Sequence, residues 1–139
     1  MPPRCLLVDD NEAFLQTASV LLEREGVTVA GVASSIAQAL GQARALRPDL
    51  ILVDIGLGDE SGFDLARLLA RDDLDADVIL ISTAAEADYA DLIQASPAAG
   101  FLAKSELSLH SINRILGHTL KPRVHIAASR GSASMASRG

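Results

Sequence analysis

Leu50-Ile51-Leu52-Val53-Asp54 is an apolar run that ends in a carboxylate and opens onto the loop Gly56-Leu57-Gly58-Asp59-Glu60-Ser61-Gly62. A continuous apolar run of this length, with Pro48 before it and glycines after it, reads as a strand buried on both faces of a parallel sheet. Asp54 then stands at its carboxyl end. In open α/β sheets chemistry gathers outside the carboxyl ends of the strands, at the point where strand order reverses. Taken alone, Asp54 is a strand-end turn residue. Its company changes that reading, because the first apolar run, Cys5-Leu6-Leu7-Val8, also ends in acids, Asp9-Asp10. Three carboxylates on one rim repel one another until a proton or a cation relieves them, and a hard divalent metal does so economically.

Outward from this centre the chain alternates strand and helix. Asn11 caps a helix carrying Phe14, Ala18, Leu21 and Leu22, which ends at Gly26. Residues 27–32 form a β-branched strand, and Ser35 with Gln38 opens an alanine-rich helix through Leu46 as a capping box. After the central strand, Ser61 with Asp64 signals a third helix with Phe63, Leu65, Leu68 and Leu69 on its apolar stripe. Residues 78–81 form the fourth strand, ending in Ser82-Thr83, and a weaker helix over 86–95 stops before Pro97. Gly100-Phe101-Leu102-Ala103 is a fifth strand ending in Lys104. Ser108 then caps a last helix that reaches Leu120. Five such units predict a parallel sheet covered on both faces. The domain spans residues 4–120, and residues 121–139, rich in Ser, Ala, Gly and Arg, are expected to be a disordered tail.

Composition agrees with one domain. The 139 residues are 49% hydrophobic and 22% charged, and with 3% aromatics the core must be aliphatic. The single cysteine, Cys5, permits no intrachain disulfide and suits a reducing compartment. No apolar run approaches the roughly 18 residues of a spanning helix, and no signal-peptide core precedes the first strand, so a cytoplasmic protein with no membrane association is expected. The formal charge is −6, while the tail holds four of the twelve bases and none of the acids. The acidic body argues against direct nucleic-acid binding.

The carboxyl ends of the strands together carry Asp9, Asp10, Asp54, Ser82, Thr83 and Lys104. Two or three carboxylates suit Mg²⁺, an oxygen-seeking ion that keeps waters or phosphate oxygens in its shell. A metal-neutralised Asp54 can attack a phosphoryl group to form an acyl phosphate. Lys104 then supplies a mobile positive charge and Ser82 a hydrogen-bond donor.

The series Leu-Val-Asp9-Asp10-Asn, Leu-Val-Asp54-Ile with Gly62 downstream, Leu-Ile-Ser82-Thr83-Ala and Gly100-Phe101-Leu-Ala-Lys104 resembles the response regulator receiver domain of two-component signalling. That resemblance implies a flavodoxin-like, doubly wound (βα)5 fold with strand order 2-1-3-4-5. It implies Asp54 as phosphoacceptor, with Asp9, Asp10, Asp54 and the backbone carbonyl of Gly56 holding Mg²⁺. It makes Ser82 and Thr83 phosphoryl-contacting hydroxyls, Phe101 the switch aromatic and Lys104 the phosphate-sensing lysine.

Partners implied are a sensor histidine kinase or phosphotransfer protein and a downstream protein effector or output domain. A homodimer through the fourth helix, fifth strand and fifth helix is a further implication, with Tyr89, Leu92 and Ile93 as surface candidates. On this reading the protein catalyses only its own phosphorylation and dephosphorylation. Lys104-Ser105-Glu106-Leu107 looks like the branch usually joined to a helix-turn-helix output, which these 139 residues do not include. The chain is thus a stand-alone receiver or the front of a longer DNA-binding regulator. It departs from the family at Gly58 and Ser105, where proline is common, and at Phe101, where tyrosine is more usual.

Rival readings come from other classes. A phosphohydrolase using an aspartyl phosphate wants a second carboxylate just after the nucleophile, where Ile55 and Gly56 stand. A nucleotide-binding domain wants a G-x-x-x-x-G-K-[ST] loop, which is absent. His110, His118 and His125 fall in or after the last helix, away from the rim. A pseudo-receiver that binds partners without phosphorylation is the alternative that keeps the same fold.

Overall fold

A computed structural model describes residues 1–84 and 86–123. Five parallel strands form one sheet: β1 (Arg4–Val8), β2 (Thr28–Ala33), β3 (Leu50–Asp54), β4 (Asp77–Ser82) and β5 (Gly100–Ala103), in the order β2-β1-β3-β4-β5. Helices α1 (Glu12–Arg24), α2 (Ile36–Leu46), α3 (Gly62–Arg71), α4 (Ala90–Ala95) and α5 (Leu109–Leu116) connect and cover them. This is the expected flavodoxin-like arrangement.

Alternation along each central strand divides the core into two layers. Cys5, Leu7, Leu50, Leu52, Ile79 and Ile81 pack with α1 and α5, while Leu6, Val8, Ile51, Val53 and Leu80 pack with residues of α2 and α3. All five residues of β3 are buried, as their unbroken apolar run requires. The order turns back on itself between β1 and β3, where Val8 is in register with Val53. Asp9 and Asp54 are thereby carried to the same end of adjacent strands.

Helix starts follow the local chemistry. Asn11 Oδ1 accepts from the Phe14 amide at 3.1 Å, and Ser35 Oγ accepts from the Gln38 amide at 3.2 Å while Gln38 Oε1 takes the Ser34 amide at 3.0 Å. At α3 the expected pairing of Ser61 with Asp64 does not form. Ser61 Oγ accepts from the Phe63 amide instead, and Asp64 pairs with Arg67 one turn on.

The expected fourth helix divides into a 3-10 turn (Glu86–Tyr89) and the six-residue α4, whose cap position holds Tyr89 with no side-chain hydrogen bond. The last helix stops at Leu116, not Leu120, because Gly117 takes the left-handed conformation at φ +77° and its amide closes on Asn113 O. Asn113 Oδ1 then accepts from the Leu120 amide at 2.7 Å, which returns Leu120 to the core.

The glycine loop after β3 is more ordered than a simple turn. Gly56–Leu57 pairs antiparallel with Glu60–Ser61, and Gly58 turns the hairpin at φ +67°. Beyond Leu120 the chain stays on the body for three more residues: the Arg123 amide donates to buried Asp49 and its guanidinium to Asp77, both at 2.6 Å. The rest of the expected disordered tail, from residue 124, lies outside the described residues. Among the described residues no helix is long and apolar enough to cross a membrane.

Candidate functional site

Asp9 follows β1 and is wholly buried. Its amide donates to Ala33 O at 2.9 Å, and its Oδ1 accepts from the Asn11 amide at 2.9 Å, so the residue that precedes the α1 cap is itself fixed. Asp9 Oδ2 is buried, and its partner is the Lys104 ammonium, ion-paired with it at 2.6 Å. Asp10 is exposed beside it. Asp54 closes β3, and its Oδ1 accepts from the Gly56 amide at 3.3 Å. Oxygens of Asp9, Asp10 and Asp54 all lie within 4.8 Å of one another.

Lys104 begins a 3-10 turn (Lys104–Glu106) at the end of β5 and reaches across the rim. Its Nζ stands 3.3 Å from Asp54 Oδ2 and 4.5 Å from the centre of the Phe14 ring. The ring's negative face adds a cation–π attraction to the two ion pairs. Sequence reading placed Phe14 only on the apolar stripe of α1. The one available signal was its position in the first turn after Asp9-Asp10, and the lysine above it comes from the far end of the chain.

The electrostatics follow from burial and spacing. Burial, then the neighbouring Asp9 charge, pushes the Asp54 carboxyl up to about 6, against the opposing pull of Lys104 and the Gly56 amide. For Lys104, burial disfavours the charge, but Asp9 and Asp54 outweigh it and hold the ammonium above the ordinary lysine value. Two close carboxylates and one lysine leave a net negative pocket. Three carboxylates with oxygens within 4.8 Å of one another, against one lysine, form an all-oxygen donor set that fits a hard divalent cation such as Mg²⁺.

Gly62 secures the position of Asp54. A Cβ on it would stand 2.0 Å from the Asp54 carbonyl oxygen, so only glycine lets α3 begin this close to the end of β3. Gly56, by contrast, is exposed, and a Cβ there would meet nothing within 4 Å.

The remaining predicted residues flank the cluster. Ser82 is buried at the end of β4 with its Oγ accepting from the Ala84 amide at 3.0 Å, and Thr83 is exposed. Phe101 is half-buried against the layer that contains α2 and α3. The proposed surface trio splits. Tyr89 and Ile93 pack toward that same core layer, Tyr89 with its ring 6.2 Å from that of Phe63, while Leu92 faces solvent at 52% exposure. His118 Nε2 lies 3.9 Å from Asp77 Oδ2, remote from the acidic rim, as its sequence position implied.

The chain has relatives among known proteins. Residues 5–116 match the response regulator receiver domain. A Pseudomonas aeruginosa protein is 34% identical over 103 residues, 74% of this chain and 50% of its own length. The DNA-binding response regulator MtrA of Mycolicibacterium smegmatis is 33% identical over 67% of this chain and 39% of its own length. The chain therefore spans half or less of the length of these relatives. Among solved structures, the signal receiver domain of a modulated diguanylate cyclase from Desulfovibrio desulfuricans G20 superposes with a TM-score of 0.72 at 28% identity, covering 86% of this chain and 94% of that one.

Proposed function

This chain belongs to the response regulator receiver family, and from that premise we propose that Asp54 accepts a phosphoryl group from a histidine kinase or phosphotransfer protein. The observation that carries the proposal is the meeting of Asp54, the buried Asp9 carboxylate and Lys104 in one cluster. A carboxylate oxygen of Asp54 attacks phosphorus, the bond from phosphorus to the donor breaks, and an acyl phosphate forms.

Asp9, Asp10 and Asp54 with the Gly56 carbonyl would hold Mg²⁺, which when bound offsets negative charge on the rim. Lys104 would pair with phosphoryl oxygens, leaving its present contact with Asp54, and Ser82 would exchange the Ala84 amide for the phosphoryl group. Thr83 follows Ser82 in the same loop. Movement there changes the room beside half-buried Phe101, and the faces of α4, β5 and α5 change with it. Leu92 is the apolar group of that surface most available to an effector or to a second copy.

The protein acts only on its own acyl phosphate and works in the cytoplasm. Relatives described as DNA-binding response regulators support its being the receiver of a longer regulator; the acidic charge of this segment argues against direct nucleic-acid contact.

The test is intact-protein mass after incubation with acetyl phosphate and Mg²⁺. One added phosphoryl group is expected, absent without metal and absent in Asp54→Asn. A folded protein that gains no mass from acetyl phosphate or from phosphorylated kinase would overturn the proposal in favour of a pseudo-receiver that binds partners without chemistry.

A further inference from the structure

Two residues of the corner between β1 and α1 share the ammonium of Lys104. Asp9 pairs with it at 2.6 Å, and the Phe14 ring lies beneath it, with 4.5 Å from Nζ to the ring centre. The corner is braced by its own hydrogen bonds: Asp9 Oδ1 accepts from the Asn11 amide, and Asn11 Oδ1 accepts from the Phe14 amide. Phe14 also packs against the core layer of α1 and α5, which leaves its ring little freedom to follow the lysine. Asp54, on β3, is the more distant partner at 3.3 Å.

These partners answer differently to a cation. A divalent ion on the carboxylates competes with Lys104 for Asp9 and Asp54 and repels the ammonium. A long, flexible lysine side chain then gains entropy by swinging into water. The phenyl ring is neutral and offers no oxygen, so the ion does not take its place. Its attraction for the ammonium survives, and it is strongest where water is excluded; only 11% of the Lys104 side chain is exposed. An aliphatic residue at position 14 would pack against the same core and hold no cation.

We infer, on the reading of Asp54 as phosphoacceptor, that Phe14 is a positioning residue for Lys104. Once a cation has taken over Asp9, the ring keeps the ammonium on the rim beside Asp54, where phosphoryl oxygens can meet it, instead of releasing it to solvent. The corner that carries Asp9 and Asp10 thereby also retains the lysine they give up.

Lys104 and Lys121 are the two lysines of the chain, so their signals are read without crowding. Isotope-labelled lysine is incorporated into the full chain of the parent, Phe14→Leu and Phe14→Tyr. NMR then follows the ε-methylene shifts, and cross-relaxation to the aromatic ring, with and without saturating Mg²⁺. In the parent the Lys104 ε-methylene protons are expected upfield of those of Lys121, because they lie over a ring face, and are expected to stay there when Mg²⁺ is added. In Phe14→Leu they should fall at the Lys121 position once Mg²⁺ is present, and Phe14→Tyr should restore the upfield shift. Phosphate uptake from acetyl phosphate on the same samples should be about fivefold slower in Phe14→Leu, the size of one cation–π contact, and restored in Phe14→Tyr. A parent signal that moves to the Lys121 position with Mg²⁺ overturns the inference. So do identical Lys104 shifts in parent and Phe14→Leu, and equal, measurable uptake in the two. A parent that takes up no phosphate while the lysine signals behave as expected counts against Asp54 as acceptor and leaves the Phe14 seat in place.

Discussion

Lys104 Nζ lies closer to Asp9 than to Asp54: 2.6 Å from Asp9 Oδ2 against 3.3 Å from Asp54 Oδ2. The lysine is thus held mainly by the most buried carboxylate of the rim. A cation on Asp9 would free the lysine for a new anion beside Asp54. Charge neutralisation at Asp9 and lysine release would then be two sides of one exchange.

Asp54→Asn should flatten the pH dependence of stability of the metal-free protein. The folded state raises this carboxyl to about 6, so it binds the proton more tightly than the unfolded chain does. The resulting stability is present in full below about pH 4 and is lost as pH rises through about 6. At pH 7.5 the variant should be more stable than the parent by on the order of 1–3 kcal/mol, since one pKa unit is worth about 1.4 kcal/mol. Urea unfolding in EDTA at pH 5 and 7.5 checks this; parallel losses in parent and variant would contradict it.

Lys104→Ala should destabilise the metal-free fold by about 3–5 kcal/mol, because it leaves Asp9 buried without its cation. Millimolar Mg²⁺ should recover much of the loss. Phosphorylation of the variant should persist in part but fail to alter the α4, β5 and α5 face, as read by amide shifts before and after acetyl phosphate. An unchanged response of that face would remove Lys104 from the switch.

Gly62→Ala should cost about 1–3 kcal/mol, the range for overpacking, since its Cβ would lie 2.0 Å from the Asp54 carbonyl oxygen. Moving that carbonyl moves Asp54, so the rate of phosphate uptake should fall with stability. Thermal unfolding together with the acetyl phosphate assay decides the point, and wild-type behaviour in both would refute the close approach.

Gly56→Arg meets free space and should leave stability within about 0.5 kcal/mol of the parent, as expected of a surface substitution. Glycine puts no side chain between Asp54 and approaching water, so the arginine variant should keep its phosphoryl group longer. A dephosphorylation time course that shows equal lifetimes would dismiss this role.

Asp49→Ala should cost about 2–3 kcal/mol. Buried Asp49 accepts the amides of Arg4 at 2.7 Å and Arg123 at 2.6 Å, and both donors lose their partner together. Denaturant unfolding measures the cost, and faster amide exchange at Arg123 should accompany it. A loss under 0.5 kcal/mol would show that water replaces the carboxylate.

Sequence alone determined the five strands, their order of appearance and the acids and lysine at their carboxyl ends. Those features are local: an apolar run reads as a buried strand wherever it stands, and Asn11, Ser35 and Ser108 cap within three residues of themselves. The tertiary structure decided which charges share one pocket and what holds them there. Phe14 beneath Lys104, Asp49 clasping both Arg4 and Arg123, and the inward turn of Tyr89 and Ile93 depend on contacts between elements distant in the chain. Hydrophobic period reports which face a residue takes, but not which neighbour the packing of that face brings to it.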